Sequence, residues 1–193
     1  MEVFILYKEQ PSPRKYEEHA YVLDFNPRGK STTVRGRDGI IVTAIGEDRL
    51  TILEILGIPN STFEIGEKIY IGKEGRTKVL SVLGKLDYDH ISSSAQTELP
   101  SVIENIVTEN ESRFVEYLNN AQPLTPRIHA LELIPGIGKT YMKIMIEERD
   151  KKKFESYEDL QDRVGFKEPI KHITERIMSE ITGESRMNLF VKR

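Results

Sequence analysis

The hydrophobic period of this chain changes near Ser92, and that change limits what it can fold into. Before Ser92, short β-branched and aromatic runs alternate with Gly, Pro, Asn and Asp, the pattern of strands and tight turns. After it, Leu99, Ile103, Ile106 and Val107, then Phe114, Tyr117 and Leu118, recur at helical spacing, while Glu104, Glu109, Glu111 and Glu116 take the opposite face. Strands followed by helices read as an α+β chain.

The spacing predicts strands over His19 to Phe25, Gly39 to Ile45, Leu50 to Leu56, Lys68 to Gly72 and Lys78 to Leu86. Turns are expected at Asn26-Pro27-Arg28-Gly29, Gly46-Glu47-Asp48 and Gly57-Ile58-Pro59-Asn60. Five short strands suit a small barrel or a compact curled sheet. Residues 1–15, ending Gln10-Pro11-Ser12-Pro13, read as an edge strand with a bend. An acidic helical stretch follows, with Pro100 at its first helical position and Pro123 and Pro126 ending it. Four short helices are expected beyond: Arg127 to Ile134, Lys139 to Arg149, Tyr157 to Val164 and Ile170 to Ile181, with Ser156 capping the third and Gly183 stopping the fourth. The domain plan is a small β-barrel over 1–90, an acidic helical connector over 91–122 and a helical domain over 123–193.

Composition excludes several function classes. The 193 residues include no cysteine, which removes disulfides, zinc ribbons and thiol nucleophiles and makes a reducing cytoplasm the expected compartment. No apolar run approaches the roughly eighteen residues of a membrane span and no basic, apolar leader pattern follows Met1, so neither a membrane span nor a secretory signal is expected. The four histidines show no ligand spacing with one another, so neither metal nor cofactor is expected. Net charge is −3, distributed as +1 over 1–85, −6 over 86–126 and +2 over 127–193. Local clusters therefore say more than the total.

Ile134-Pro135-Gly136-Ile137-Gly138-Lys139-Thr140 stands between two helical patterns. Its glycines permit positive φ and a close approach from outside. The helix start beyond them leaves N–H groups without partners and carries about half a positive charge, to which Lys139 adds a full one. Ile134 and Ile137 would anchor the turn in the core. A nucleotide P-loop is excluded, because G-x-x-x-x-G-K-[ST] needs glycine at 133, where Leu133 stands, and a strand beforehand, where a helix is expected.

Leu133 to Lys139, followed by a helix ending Glu147-Glu148-Arg149, resembles the helix-hairpin-helix motif, which implies contact with a sugar-phosphate backbone without sequence reading. Phe154 to Leu160, then Arg163-Val164-Gly165-Phe166, resembles a degenerate second copy, whose single glycine and Pro169 point to packing rather than binding. Over nearly the whole chain, Tyr21 to Phe25 with Pro27-Arg28-Gly29-Lys30, Ile65 to Lys73, and Asn119 to Pro123 with the hairpin resemble an archaeal family of unknown function. The resemblance implies an oligonucleotide-binding type barrel followed by a helix-hairpin-helix domain, and a nucleic-acid partner, DNA or RNA.

The expected nucleic-acid contacts are Gly136, Ile137, Gly138, Lys139, Thr140 and Lys143 at the hairpin, with Arg28, Lys30, Arg35 and Arg37 from the Asn26 to Gly39 loop and Tyr70 from the barrel. The loop reads equally as a groove wall or as a solvated hairpin. Tyr21 and Phe25 read as core or as stacking platforms. The chain is expected not to be an enzyme, since no carboxylate cluster or activated nucleophile is present, and Asp24 and Asp38 would be the first acids to test. The alternative expectation is a protein–protein adaptor in an archaeal nucleic-acid-processing or translation complex.

Overall fold

A computed structural model describes residues 16–30 and 38–192. Its first half is one curled antiparallel sheet of β1 (His19–Lys30), β2 (Asp38–Gly46), β3 (Ile52–Gly57), β4 (Lys68–Tyr70) and β5 (Val79–Lys85) in the order β4-β1-β2-β3-β5. No pairing among the described residues joins β4 to β5, so the expected barrel is an open half-barrel. The edge strand expected in residues 1–15 lies outside the described residues.

Asn26-Pro27-Arg28-Gly29 is not the turn the sequence suggests, because β1 runs on through it to pair Lys30 with Asp38. Two irregularities in β1, at Val22/Asp24 and Asn26/Gly29, absorb the proline and the extra residues. The first also changes which face each side chain takes. Tyr21 and Leu23 join the larger core against the helices, whereas Phe25 packs toward the smaller core inside the curl with Phe63.

Ser92 starts α1 (Ser93–Glu109), its hydroxyl accepting from the Ala95 N–H at 3.1 Å. Pro100 therefore lies inside the helix and not at its start. It faces solvent, where the Gln96 carbonyl it leaves without a helical donor is within reach of water. Asn110 divides the acidic stretch into two helices, its amide donating to the Ile106 carbonyl at 2.9 Å before α2 (Glu111–Asn120) begins. The expected connector is the middle of the protein: Leu99, Val102, Ile103, Ile106, Phe114 and Leu118 lie in one buried cluster with Tyr21, Ile45 and Leu50 of the sheet half. Each such aliphatic side chain contributes about 1.5–3 kcal/mol by leaving water.

The helix expected over Arg127 to Ile134 does not form. A two-stranded ribbon of β6 (Pro123–Thr125) and β7 (Ile128–His129) leads into a 3₁₀ turn over Ala130–Leu133. Pro126 and Pro135 leave too few residues for a stable α-helix, and Pro135 holds Ile134 extended at ψ 125. His129 caps the short turn, its side chain accepting from the Leu131 N–H at 3.1 Å while the Glu132 carboxylate accepts from the His129 N–H at 3.0 Å. The last three helices match expectation closely: α3 (Lys139–Lys151), α4 (Tyr157–Val164) and α5 (Pro169–Ile181). Ser156 caps α4 through the Asp159 N–H at 3.0 Å, and Gly183 follows α5 with φ +80.

A buried polar cluster joins the halves. Glu47, 8% exposed, accepts from Lys68 at 2.6 Å, Asn110 at 3.1 Å and the Tyr21 hydroxyl at 3.2 Å, and the same hydroxyl lies 2.5 Å from Glu109. Burial pushes the Glu47 carboxyl upward, but the hydrogen bonds from Lys68 and Asn110 and the Lys68 charge prevail, and it titrates below 4.5. Its stabilising effect is therefore complete above pH 4.5 and disappears as pH falls through the lower folded value. Glu47→Gln is expected to lower the urea midpoint near pH 7 and to converge on wild type once pH falls below the lowered folded value. An equal gap at both pH values would remove Glu47 from the acid response.

Candidate nucleic-acid interface

The glycine turn between the 3₁₀ turn and α3 is built on two buried anchors, Ile134 and Ile137, at 1% and 3% exposure. Ile137 donates its N–H to the Ile134 carbonyl at 3.1 Å, so this residue fastens the turn and its side chain faces the core. Its two glycines serve different ends. Gly136 has φ +79, and a Cβ there would come within 2.8 Å of the His172 ring, so the chain itself requires glycine. Gly138 has φ −82 and ψ 179, open to any residue, and a Cβ there would meet nothing within 4 Å.

Gly138 is the N-cap of α3 and supplies no side-chain acceptor. The N–H groups of Lys139, Thr140 and Tyr141 find no acceptor among the described residues. Gly136, Gly138, Lys139, Thr140 and Lys143 are all exposed. Neither Lys139 nor Lys143 has a carboxylate within 4 Å among the described residues. Outward main-chain donors, a helix start and two unpaired ammonium groups form a surface suited to an oxyanion.

The turn between α4 and α5 braces the glycine turn. Gly165 ends α4 at φ +77, Phe166 turns inward at 2% exposure, and its ring stacks on His172 at 5.0 Å. Tyr141 meets Phe166 edge-on at 5.8 Å and directs its hydroxyl to the Gly165 carbonyl at 3.4 Å. Glu168 at φ 53 and Pro169 open α5 with an acid and a missing donor. Sequence reading did not find His172 as the support under Gly136, because a lone histidine on a helix announces no neighbour across the fold.

The other expected contacts are not gathered at the hairpin. Arg28 is exposed on β1, while Arg35, Arg37 and the Lys30 side chain lie outside the described residues. Tyr70 sits on the edge strand β4, half-buried and edge-on to His19 at 5.4 Å, between buried Ile69 and Ile71. Tyr21 is 1% exposed and belongs to the core. Asp24 accepts from the Phe25 N–H at 2.8 Å and from the Ser92 hydroxyl at 2.5 Å, tying β1 to the cap of α1. No group of three His, Asp or Glu able to hold a metal occurs among the described residues, and no helix there is long and apolar enough to cross a membrane.

Together these features define an α+β protein of a curled antiparallel half-barrel and a helical half whose glycine turn exposes unpartnered donors. The chain belongs to the family described as "Protein of unknown function (DUF655)", which residues 16–192 match. It is 38% identical over 188 residues to the uncharacterized protein MJ0038 of Methanocaldococcus jannaschii, a match covering 96% of this chain and 85% of that one. The crystal structure of Af1531 from Archaeoglobus fulgidus, also 38% identical, superposes with a TM-score of 0.79 over 91% of this chain and 100% of that one.

Proposed function

We propose that the protein is a non-enzymatic nucleic-acid-binding protein of the cytoplasm. Its turn at Gly136 to Thr140 acts as a helix-hairpin-helix grip on the phosphate backbone, and its OB-like half-barrel forms a second contact surface. The observation carrying this reading is the set of unpartnered N–H groups at Lys139, Thr140 and Tyr141 beside a glycine the fold itself does not need. A glycine kept only for helix geometry would show positive φ or a clash at its missing Cβ, as Gly136 does and Gly138 does not.

One helix start is worth only about 0.3–1 kcal/mol to an exposed anion, so affinity requires several contacts. Four neutralised phosphates would give a slope of about −3.6 in log affinity against log salt on duplex DNA. Lys139→Ala and Lys143→Ala are each expected to flatten that slope by about 0.9. Binding indifferent to salt would refute the reading. The adaptor alternative is separated by recovering partners from nuclease-treated lysate: protein partners that survive digestion support the adaptor, and their loss supports direct nucleic-acid contact.

A further inference from the structure

A cavity of about 820 Å³ opens between β4 and β5, the two sheet edges that pair with no further strand among the described residues, far along the chain from the glycine turn. Its floor is the end of the inner core, where Leu53, Ile71 and Val82 show apolar surface. Tyr16, 64% exposed, and Tyr70 stand on its wall, and the Lys73 ammonium lies 5.7 Å from the Tyr16 ring centroid. Lys73 and Lys85 have no carboxylate within 4 Å among the described residues. Arg76 adds charge held in place by the carbonyls of Ile71, Gly72 and Leu80. Of the acids lining the cavity, Glu18 and Glu74 accompany Glu17, whose carboxylate is turned to the N–H groups of Asp48 and Arg49 at 2.8 and 2.9 Å.

We infer that this groove holds one or two unstacked bases of a single-stranded nucleic acid, with flanking phosphates on Lys73 and Lys85. The volume suits a ligand of that size, since small-molecule sites commonly span about 300–1,000 Å³. An exposed and a half-buried tyrosine over an apolar floor, with ammonium groups at the rim that have no carboxylate within 4 Å among the described residues, are what base stacking and backbone contact require together. On its β4 side the groove offers a peptide only three residues of strand to pair with. The inference rests on the nucleic-acid reading above and gives it a second site of different chemistry, one that discriminates single strands from duplex.

The test is fluorescence anisotropy with a fluorescein-labelled twelve-nucleotide uridine oligomer, a duplex of equal length, and uridine monophosphate as competitor. Tyr16→Ala and Lys85→Glu, both at exposed positions, are each expected to weaken the single-strand complex by about tenfold and to leave the duplex complex unchanged. Uridine monophosphate should compete only at much higher concentration than the oligomer. If both variants bind the oligomer as wild type does while a hairpin variant loses it, the groove inference falls and the hairpin reading stands. If the monophosphate binds as tightly as the oligomer, the groove is a mononucleotide pocket and the strand assignment is overturned. If wild type binds neither polymer, the functional reading fails and the groove inference with it.

Discussion

Glu180→Ala is expected to destabilise the protein by about 3–5 kcal/mol, the largest effect of any single change considered. Glu180 is wholly buried and accepts from Arg176 Nε at 2.8 Å and from the N–H groups of Leu189, Phe190 and Val191 at 2.7, 3.0 and 2.9 Å. Its loss would leave a buried guanidinium without its carboxylate and three main-chain donors without an acceptor. The tail it holds carries Phe190 against Phe114 and Tyr117, at 5.5 and 4.7 Å, and returns the Lys192 N–H to the Arg49 carbonyl at 3.0 Å. Burial and the Glu180 charge push the Tyr117 hydroxyl up to about 12. At a slope of about 2 kcal/mol/M, the urea midpoint should fall by about 2 M. A fall under about 0.3 M would show that the tail is held by its apolar contacts alone.

Gly138→Asp should move stability and binding in opposite directions. The backbone there is extended and the space around a new Cβ is empty, so the side chain enters without strain. Its carboxylate would cap the first turn of α3, accepting from N–H groups that now have no partner, and would stabilise the helix by about 0.5–1 kcal/mol. A rise in melting temperature of about 1–4 °C follows for a chain of this size. The same carboxylate would take the donors a phosphate needs and repel it, and loss of two charge-assisted hydrogen bonds predicts affinity lower by about a hundredfold or more. Binding kept intact in a stabilised variant would remove this turn from the interface. Gly136→Ala cannot serve in its place, because positive φ and the His172 ring would disturb the fold itself.

Elements with strong local signals were legible in advance. The Ser156 cap, the αL stop at Gly183, the helical run Tyr157–Val164 and the turn at Gly46 to Asp48 depend on residues within a few positions of one another. The helix expected over Arg127 to Ile134 did not form because Pro126 and Pro135 bound it and leave too few residues for a stable α-helix. The loop expected at Asn26 became strand because pairing with β2 continued past the proline through a bulge, a choice made by the partner strand and invisible to local propensity.

The glycine turn itself was readable as a candidate site, since spare N–H groups at a helix start follow from backbone geometry alone. Which glycine faces outward was not, because that depends on His172, thirty-six positions beyond Gly136, and on Phe166 beneath it. The groove between β4 and β5 was out of reach for the same reason: Tyr16, Tyr70 and Lys85 share a wall only because the sheet curls without closing. Sequence alone determined the change from strands to helices, the Ser156 cap and the left-handed stop at Gly183, since each is settled by interactions between near neighbours. Tertiary structure decided the bulges, the place of the acidic helices at the centre of the core and the two exposed surfaces, since each depends on contacts between residues distant in the chain.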